Sequence, residues 1–302
     1  MADVFTTKST AVGTLGEAFA FEEVQAAARA AIVISNKVTV KTVPRGHKSA
    51  KFVKESGSLL AAAAISEGST DDAQAWTNSS VELTPAIIAL NTLVTDLAEF
   101  SSFAAMDPAM RAALGRAVAD KRDTDVLALA SGFSGSAGTT GVALSMANID
   151  TGIYTLDNAN APSGNFGETS DEGGDLLQGK IIVLAPIQVS QLRTALRNSG
   201  QSYLFQEKAT ELLYNDNTKM RGYKGTLAGM PVFESTRVVT SGSDRLGMMF
   251  VPSAIGLAHA WAVMIETQRV LEKWSTRVGA STGYAVGELF DAYGFGLLSV
   301  NS

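Results

Sequence analysis

Few side chains in this sequence are equipped for covalent or metal chemistry. His47 and His259 are its only histidines and it has no cysteine. A transition-metal centre normally needs three or four imidazole, thiolate or carboxylate ligands, so both histidines are expected to be structural or solvated. The missing thiols also exclude disulfides and cysteine nucleophiles. Ser134 lies in GFSGS (132–136), which lacks the last glycine of a G-x-S-x-G nucleophile elbow and has no strand leading into it. Gly132, Gly135, Gly138 and Gly141 recur every third residue, not in the order that cradles a phosphate, and no Gly-Lys-Ser/Thr follows. This stretch is expected to be a loop or linker. Asp123 with Asp125, and DEGGD at 171–175, have oxygens that suit a hard cation but not the spacing of an EF-hand. They read as a helix face and an acidic turn in water. No catalytic residue, cofactor or metal site is expected.

The densest chemical signal is charge. NKVTVKTVPRGHKSAKFVKE, residues 36–55, sets Lys37, Lys41, Arg45, Lys48, Lys51 and Lys54 against Glu55, in a chain whose net charge is −6. Val38 and Val40 alternate with polar residues, which predicts extended backbone. Pro44–His47 supplies a turn before a second extended run. The segment therefore reads as a basic β ribbon. A two-stranded ribbon is marginal in water on its own and needs a surface to lie on.

The bulk of the chain bounds the remaining possibilities. With 302 residues, 46% hydrophobic and 18% charged, it can bury one large core or two smaller ones without staples. Its longest apolar runs, such as LLAAAAI (59–65), fall short of the roughly 18 residues of a membrane span, so no membrane association is expected. The opening MADVFTTKSTAVGT has no basic leader ahead of an apolar core, so no secretory signal is expected and the setting is taken as cytoplasmic. A pI near 5.1 argues against a dedicated nucleic-acid binder.

The order of elements follows from periodicity. Residues 1–35 read as an arm with a short helix, because Phe21, Val24, Ala28 and Ile32 recur at helical spacing. After the ribbon come an Ala-rich run, an acidic turn, and a return strand in which Val81 and Leu83 alternate with Glu82 and Thr84; 36–84 is thus an excursion without an evident core of its own. Asp107 and Pro108 open the strongest helix, 107–131, about 35 Å long, which Ser131 and Gly132 end. Met110, Leu114 and Val118 sit four apart on it, followed by Val126, Leu127 and Leu129. A polar region runs to about 179. KIIVLAP (180–186) and QVSQLRTALRNSG form a buried strand and a helix. GTLAGMPVFESTRVV (225–239) supplies a further strand, and strands and turns complete the chain.

In that order, several segments resemble the major capsid proteins of tailed bacteriophages, which have the HK97-type fold. ISEGSTDDAQAWTNSSVELTPAIIALNTLVTDL (65–97) resembles the return leg of that family's extended loop. DPAMRAALGRAVADKRDTDVLALASG (107–132) resembles its spine helix. IIVLAPIQVSQLRTALRNSG and GTLAGMPVFESTRVV resemble the first strand and helix of its axial domain and a later Gly-x-Pro-Val strand. The resemblance implies an α+β fold with an N-terminal arm (1–35), an extended β loop (36–84) and a peripheral domain (85–179) holding the spine helix. It also implies an axial α/β domain (180–255) and terminal strands returning to the peripheral domain (256–302). It further implies a non-enzymatic shell subunit that assembles in a host bacterial cytoplasm into pentamers and hexamers of an icosahedral virion capsid.

The expected partners are other copies of the chain, a separate scaffolding protein, a portal protein, possible decoration proteins, and double-stranded DNA contacted weakly and without sequence preference. Lys41, Arg45, Lys48, Lys51, Phe52, Lys54, Glu67 and Trp76 are the expected inter-subunit contacts, with apolar area from Val38, Val40, Phe52, Val53, Val81 and Leu83. The arm begins within a few residues of Met1, so no maturation cleavage is expected. No residues match those needed for the family's Lys–Asn cross-link, so that chemistry is not transferred. An encapsulin-like shell is the alternative, and an α/β enzyme or a soluble binding module stands further off.

Overall fold

A computed structural model describes residues 34–35, 37–55, 78–101, 106–159, 161, 179–200, 205–207 and 222–301. Their strands form two sheets and one short ribbon.

Chain order begins with β1 (Thr39–Thr42), β2 (Ala50–Glu55), β3 (Asn78–Leu83) and β4 (Ala86–Thr95), followed by helices α1 (Asp96–Ser101) and α2 (Met106–Ala128). α2 is the long helix expected from the sequence. Pro108 falls in its first turn, where a missing N–H costs nothing, and Leu129–Ser131 tighten into a 3-10 turn before Gly132. β5 (Ser136–Ala137) and α3 (Met146–Asn158) come next. Then follow β6 (Ile181–Leu184), α4 (Pro186–Asn198), β7 (Phe205–Glu207), β8 (Tyr223–Leu227), β9 (Met230–Glu234), β10 (Val239–Ser241) and β11 (Asp244–Phe250). The chain ends in the long strands β12 (Ile255–Val270) and β13 (Ser275–Glu288), and β14 (Gly294–Val300).

The larger sheet has the order β5-β14-β11-β6-β9-β8-β7, with β10 on β11. Every residue of β6 is buried, as expected for a strand covered on both faces. Ile181 and Val183 point into one core with Phe233, Met248 and Phe250, where Val126 and Leu127 of α2 pack. Ile182 and Leu184 point into a second core with Met249, Phe295, Ile149 and Leu156 of α3, and Val189 and Leu192 of α4. Gln188 is a fully buried polar side chain in this layer: its Oε1 accepts the Ala185 N–H at 3.0 Å while Nε2 donates to the Arg245 and Leu297 carbonyls. Gly247 leaves room for it, since a Cβ there would stand 2.7 Å from Oε1.

The smaller sheet has the order β1-β12-β13-β4. Leu114 and Val118 of α2 pack on Val278 and Ala280 of β13, so one helix serves both sheets. Three expectations are corrected here. First, Pro44–His47 do form a turn, with the His47 N–H donating to the Pro44 carbonyl at 3.0 Å, but it is a corner and not a hairpin: β1 pairs in parallel with β12, and β2 pairs antiparallel with β3. Val38 is the cause, because it is buried in the main core and ties the first strand to the body.

Second, residues 131–141 are no linker. β5 pairs with β14, and a Cβ at Gly135 would stand 2.8 Å from the Phe295 ring and one at Gly138 2.0 Å from the Leu298 carbonyl oxygen. The glycines let the backbone lie flat on the sheet. Third, the polar region before 179 contains α3, whose buried Ile149, Gly152 and Leu156 lie on one helical face. β5 lies in the larger sheet and α3 packs on it, while of the last three strands β12 and β13 lie in the smaller sheet and β14 in the larger.

Candidate functional site

The root of the first described segment is held by a buried carboxylate. Asp123, near the end of α2, accepts the Ser35 N–H at 2.9 Å and the Ile34 N–H at 3.4 Å. Two residues on, the Lys37 ammonium is also buried, 4.3 Å from the centroid of the Phe233 ring. Burial lowers its pKa to about 8 even though the Asp123 charge pulls the other way. The neighbouring carboxylates are equally committed. Asp120 receives Arg237 at 2.7 Å, and Asp125 receives the Tyr284 hydroxyl at 2.8 Å and the Lys121 ammonium. Asp120, Asp123 and Asp125 therefore together clamp α2 to three other parts of the chain, and DEGGD lies outside the described residues.

The remaining chemical candidates are bound into the fold in the same way. Asp291 accepts both the N–H and the hydroxyl of Ser134, and these two bonds hold the Asp291 carboxyl below the usual carboxylate range. Ser134 thus gives both its N–H and its hydroxyl to one carboxylate and ties the 132–136 stretch to the turn before β14. The carbonyl of His259 caps the Val43 N–H at 2.9 Å, and burial, with the Arg122 charge nearby, lowers the pKa of its imidazole. Among the described residues no group of three side chains is arranged to hold a metal ion, and no helix is long and apolar enough to cross a membrane.

The cations from β1 through the corner to β2 are placed differently from one another. Lys41 reaches back to donate to the Lys51 carbonyl at 2.6 Å and lies 5.8 Å from the Phe52 ring. Lys54 lies 5.2 Å from the ring of Phe290, beside Glu288, whose carboxyl is raised mainly by burial. Lys51 is exposed, with Glu82 3.9 Å away across the ribbon; Glu82 also takes a hydrogen bond from Ser49. Arg45 and Lys48 stand in solvent at the corner. Glu67 and Trp76 lie outside the described residues.

The apolar residues divide in a way that alternation alone does not settle. Phe52 and Leu83 are buried with Val43, Ala50, Ala258 and Leu289 in a small core of their own chain, against which Val81 packs. The ribbon base therefore does have a core, contrary to expectation, and Val38, Phe52 and Leu83 have little surface left for a neighbour. Val40 and Val53, the latter 62% exposed, keep theirs. Sequence reasoning missed the Asp123 clamp altogether. Its only signal was a lone carboxylate on the α2 face that also carries Val126 and Leu127.

The arrangement as a whole has close structural parallels. No protein-family model matches the chain, and no curated protein sequence does. Among solved structures, the capsid of Ralstonia phage GP4 is similar with a TM-score of 0.64 at 13% identity, over 88% of this chain and 87% of that one. A chain of Mycobacterium phage Che8 is similar with a TM-score of 0.59 at 16% identity, over 83% and 84%. The holo SrpI encapsulin complex of Synechococcus elongatus PCC 7942 is similar with a TM-score of 0.61 at 8% identity, over 87% and 85%. The chain has the HK97-type fold.

Proposed function

We propose that this chain is the major capsid protein of a tailed bacteriophage, a structural subunit that assembles into pentamers and hexamers of an icosahedral shell around double-stranded DNA. The observation that carries the proposal is the likeness to phage capsid chains over most of the length of both partners, together with a basic ribbon on which Arg45, Lys48 and Lys51 are solvent-exposed. In this reading the larger sheet with α3 and α4 is the axial domain, the smaller sheet with α2 is the peripheral domain, and β2–β3 is the stem of the extended loop. Scaffolding, portal and decoration proteins are the partners of assembly, and the virion is its location.

The physical logic favours many weak contacts. Arg45, Lys48 and Lys51 are solvated, so each charge pair they form with a neighbour adds only about 0.2–1 kcal/mol and mainly sets register. The acidic balance of the chain disfavours tight adhesion to packaged DNA, which has to leave again. An encapsulin-like compartment is kept as a second reading because the SrpI shell shares the fold. Electron microscopy of the chain expressed with its neighbouring genes tests both. Closed shells tens of nanometres across are expected, with DNA on packaging. Enclosed protein cargo favours the second reading, and dispersed particles of one chain's mass overturn both.

A further inference from the structure

The ribbon stands on a short crossover. Residues 289–293 carry the chain from β13 in the smaller sheet to β14 in the larger. Leu289 is buried beside Phe52 and Leu83 of the ribbon, and Phe290 packs against the same cluster. A Cβ at Gly287 would stand 2.5 Å from Leu83 Cδ2, so the ribbon lies directly on the end of β13. Phe290 is stacked on Tyr293 with ring centroids 5.0 Å apart, and the half-buried Lys54 reaches to 5.2 Å from the Phe290 ring.

Two carboxyls flank that ring in the chain and act on each other. Asp291 is fixed by Ser134, whose N–H donates to it at 2.7 Å and whose hydroxyl donates as well. Glu288 lies on the same stretch, where a Cβ at Gly132 would come within 3.1 Å of its Oε2. The Glu288 and Asp291 side chains are in hydrogen-bonding reach of each other, and Lys54 is the described cation whose charge acts on both. Because Asp291 already holds two donors, a proton shared by the pair resides on Glu288.

We propose that a proton and the Lys54 ammonium compete for this carboxyl pair, and that the competition is a pH-sensitive catch on the base of the ribbon. With Glu288 ionised, the two carboxylates repel each other and Lys54 offsets the repulsion, which binds β2 to the crossover. With Glu288 protonated, it donates to Asp291, the pair is satisfied within the crossover, and half of the charge that held Lys54 is gone. The ring contact and the small core remain, so acid loosens the ribbon base without unfolding it. Burial and the Asp291 charge raise the Glu288 carboxyl, while Lys54 opposes them. The fold therefore favours the protonated form, fully below the ordinary glutamate value of 4.5 and less as pH rises through the raised one. The Lys54 contact follows the opposite course. All of this stands on the geometry of one chain and does not depend on the shell reading.

Hydrogen exchange of the paired β2 and β3 amides in the full chain tests the catch, at pH 7.5 and pH 4, against Glu288→Gln and Lys54→Met. Glu288→Gln keeps a donor to Asp291 at every pH, and Lys54→Met keeps an apolar stem over the Phe290 ring without the charge. At pH 7.5 both variants are expected to exchange these amides up to about fivefold faster than the parent, the upper end of what one surface ion pair provides. At pH 4 the three chains are expected to coincide. Equal exchange in the parent and Glu288→Gln at pH 7.5 overturns the catch. A difference that persists undiminished at pH 4 overturns it too, because it then comes from shape and not from charge. If faster exchange in Glu288→Gln extends to the buried strand β6, that variant has lost the fold, and Lys54→Met decides by the same two criteria.

Discussion

The two sheets of this molecule handle their apolar surface in opposite ways. β6 of the larger sheet is covered on both faces, by the end of α2 on one side and by α3 and α4 on the other. In the smaller sheet, α2 covers Val278 and Ala280, while Ile87, Leu90 and Met264 stay exposed and the hairpin ends in Leu271 and Trp274. Buried apolar area is therefore concentrated in the larger sheet and exposed apolar area in the smaller one, with α2 joining them. On the proposed reading, that exposed area and the ribbon are where neighbouring subunits meet.

The bluntest way to break this division is to open the covered sheet. Phe250→Ala removes a fully buried ring from the main core and is expected to cost about 3–5 kcal/mol, a large part of a domain's stability. Denaturant unfolding of the free subunit measures it, and a loss below 1 kcal/mol would mean that the core is not where the burial places it. Asp123→Ala is the next largest. It leaves the Ile34 and Ser35 N–H groups without their acceptor and removes a favourable charge near the buried Lys37 ammonium, at an expected cost of about 2–3 kcal/mol. Hydrogen exchange at Ser35 should rise with it; unchanged protection there would remove the clamp from the account.

What the sequence disclosed follows the same division. The β6–α4 unit was legible because a strand covered on both faces is apolar throughout, and a helix with Pro186 at its start and Gly200 after its end is marked in the chain. α2 was legible through Met110, Leu114 and Val118. The partner of β1 was not, because Val38 and Val40 alternate equally well in a ribbon or at a sheet edge, and only the distant β12 decides between them. The packing of 132–138 was hidden for a related reason: glycine favours loops locally, while the demand for glycine here comes from Phe295 and Leu298, more than 150 positions away. The exposed end of the β12–β13 hairpin was invisible because nothing local marks Trp274 as left-handed, at φ 44° and ψ 51°.

The Lys37 ammonium sharpens the comparison through pH. In the unfolded chain its pKa is 10.5, and in the fold about 8, so between those values the unfolded state binds more protons and stability rises with pH. Below pH 8 the full cost of the buried charge is present. Tyr223 and Tyr284, both raised by burial, act oppositely, but only as pH passes the ordinary tyrosine value near 10. Melting temperatures from pH 8 to 9.5 should therefore climb in the parent relative to Lys37→Met, which lacks the titrating group. Parallel curves would show that Lys37 is solvated in the working fold.

The smallest effect on folding is expected at the ribbon. Lys48→Glu, Lys51→Glu and Lys54→Glu together change exposed or half-exposed groups held by one ring contact, one loose pair at 3.9 Å and the charges of Glu288 and Asp291 beside Lys54, so the free subunit should lose no more than about 2 kcal/mol. Assembly should suffer much more, since a reversed ribbon repels the acidic surfaces it is proposed to meet. Because such pairs are screened by salt over about 10 Å at 0.1 M, raising ionic strength should restore part of the shell yield in the triple variant and weaken assembly of the parent. Normal yields at low salt from the triple variant would make the ribbon charges incidental and leave exposed apolar residues such as Val40 and Val53 as the ribbon's contribution to assembly.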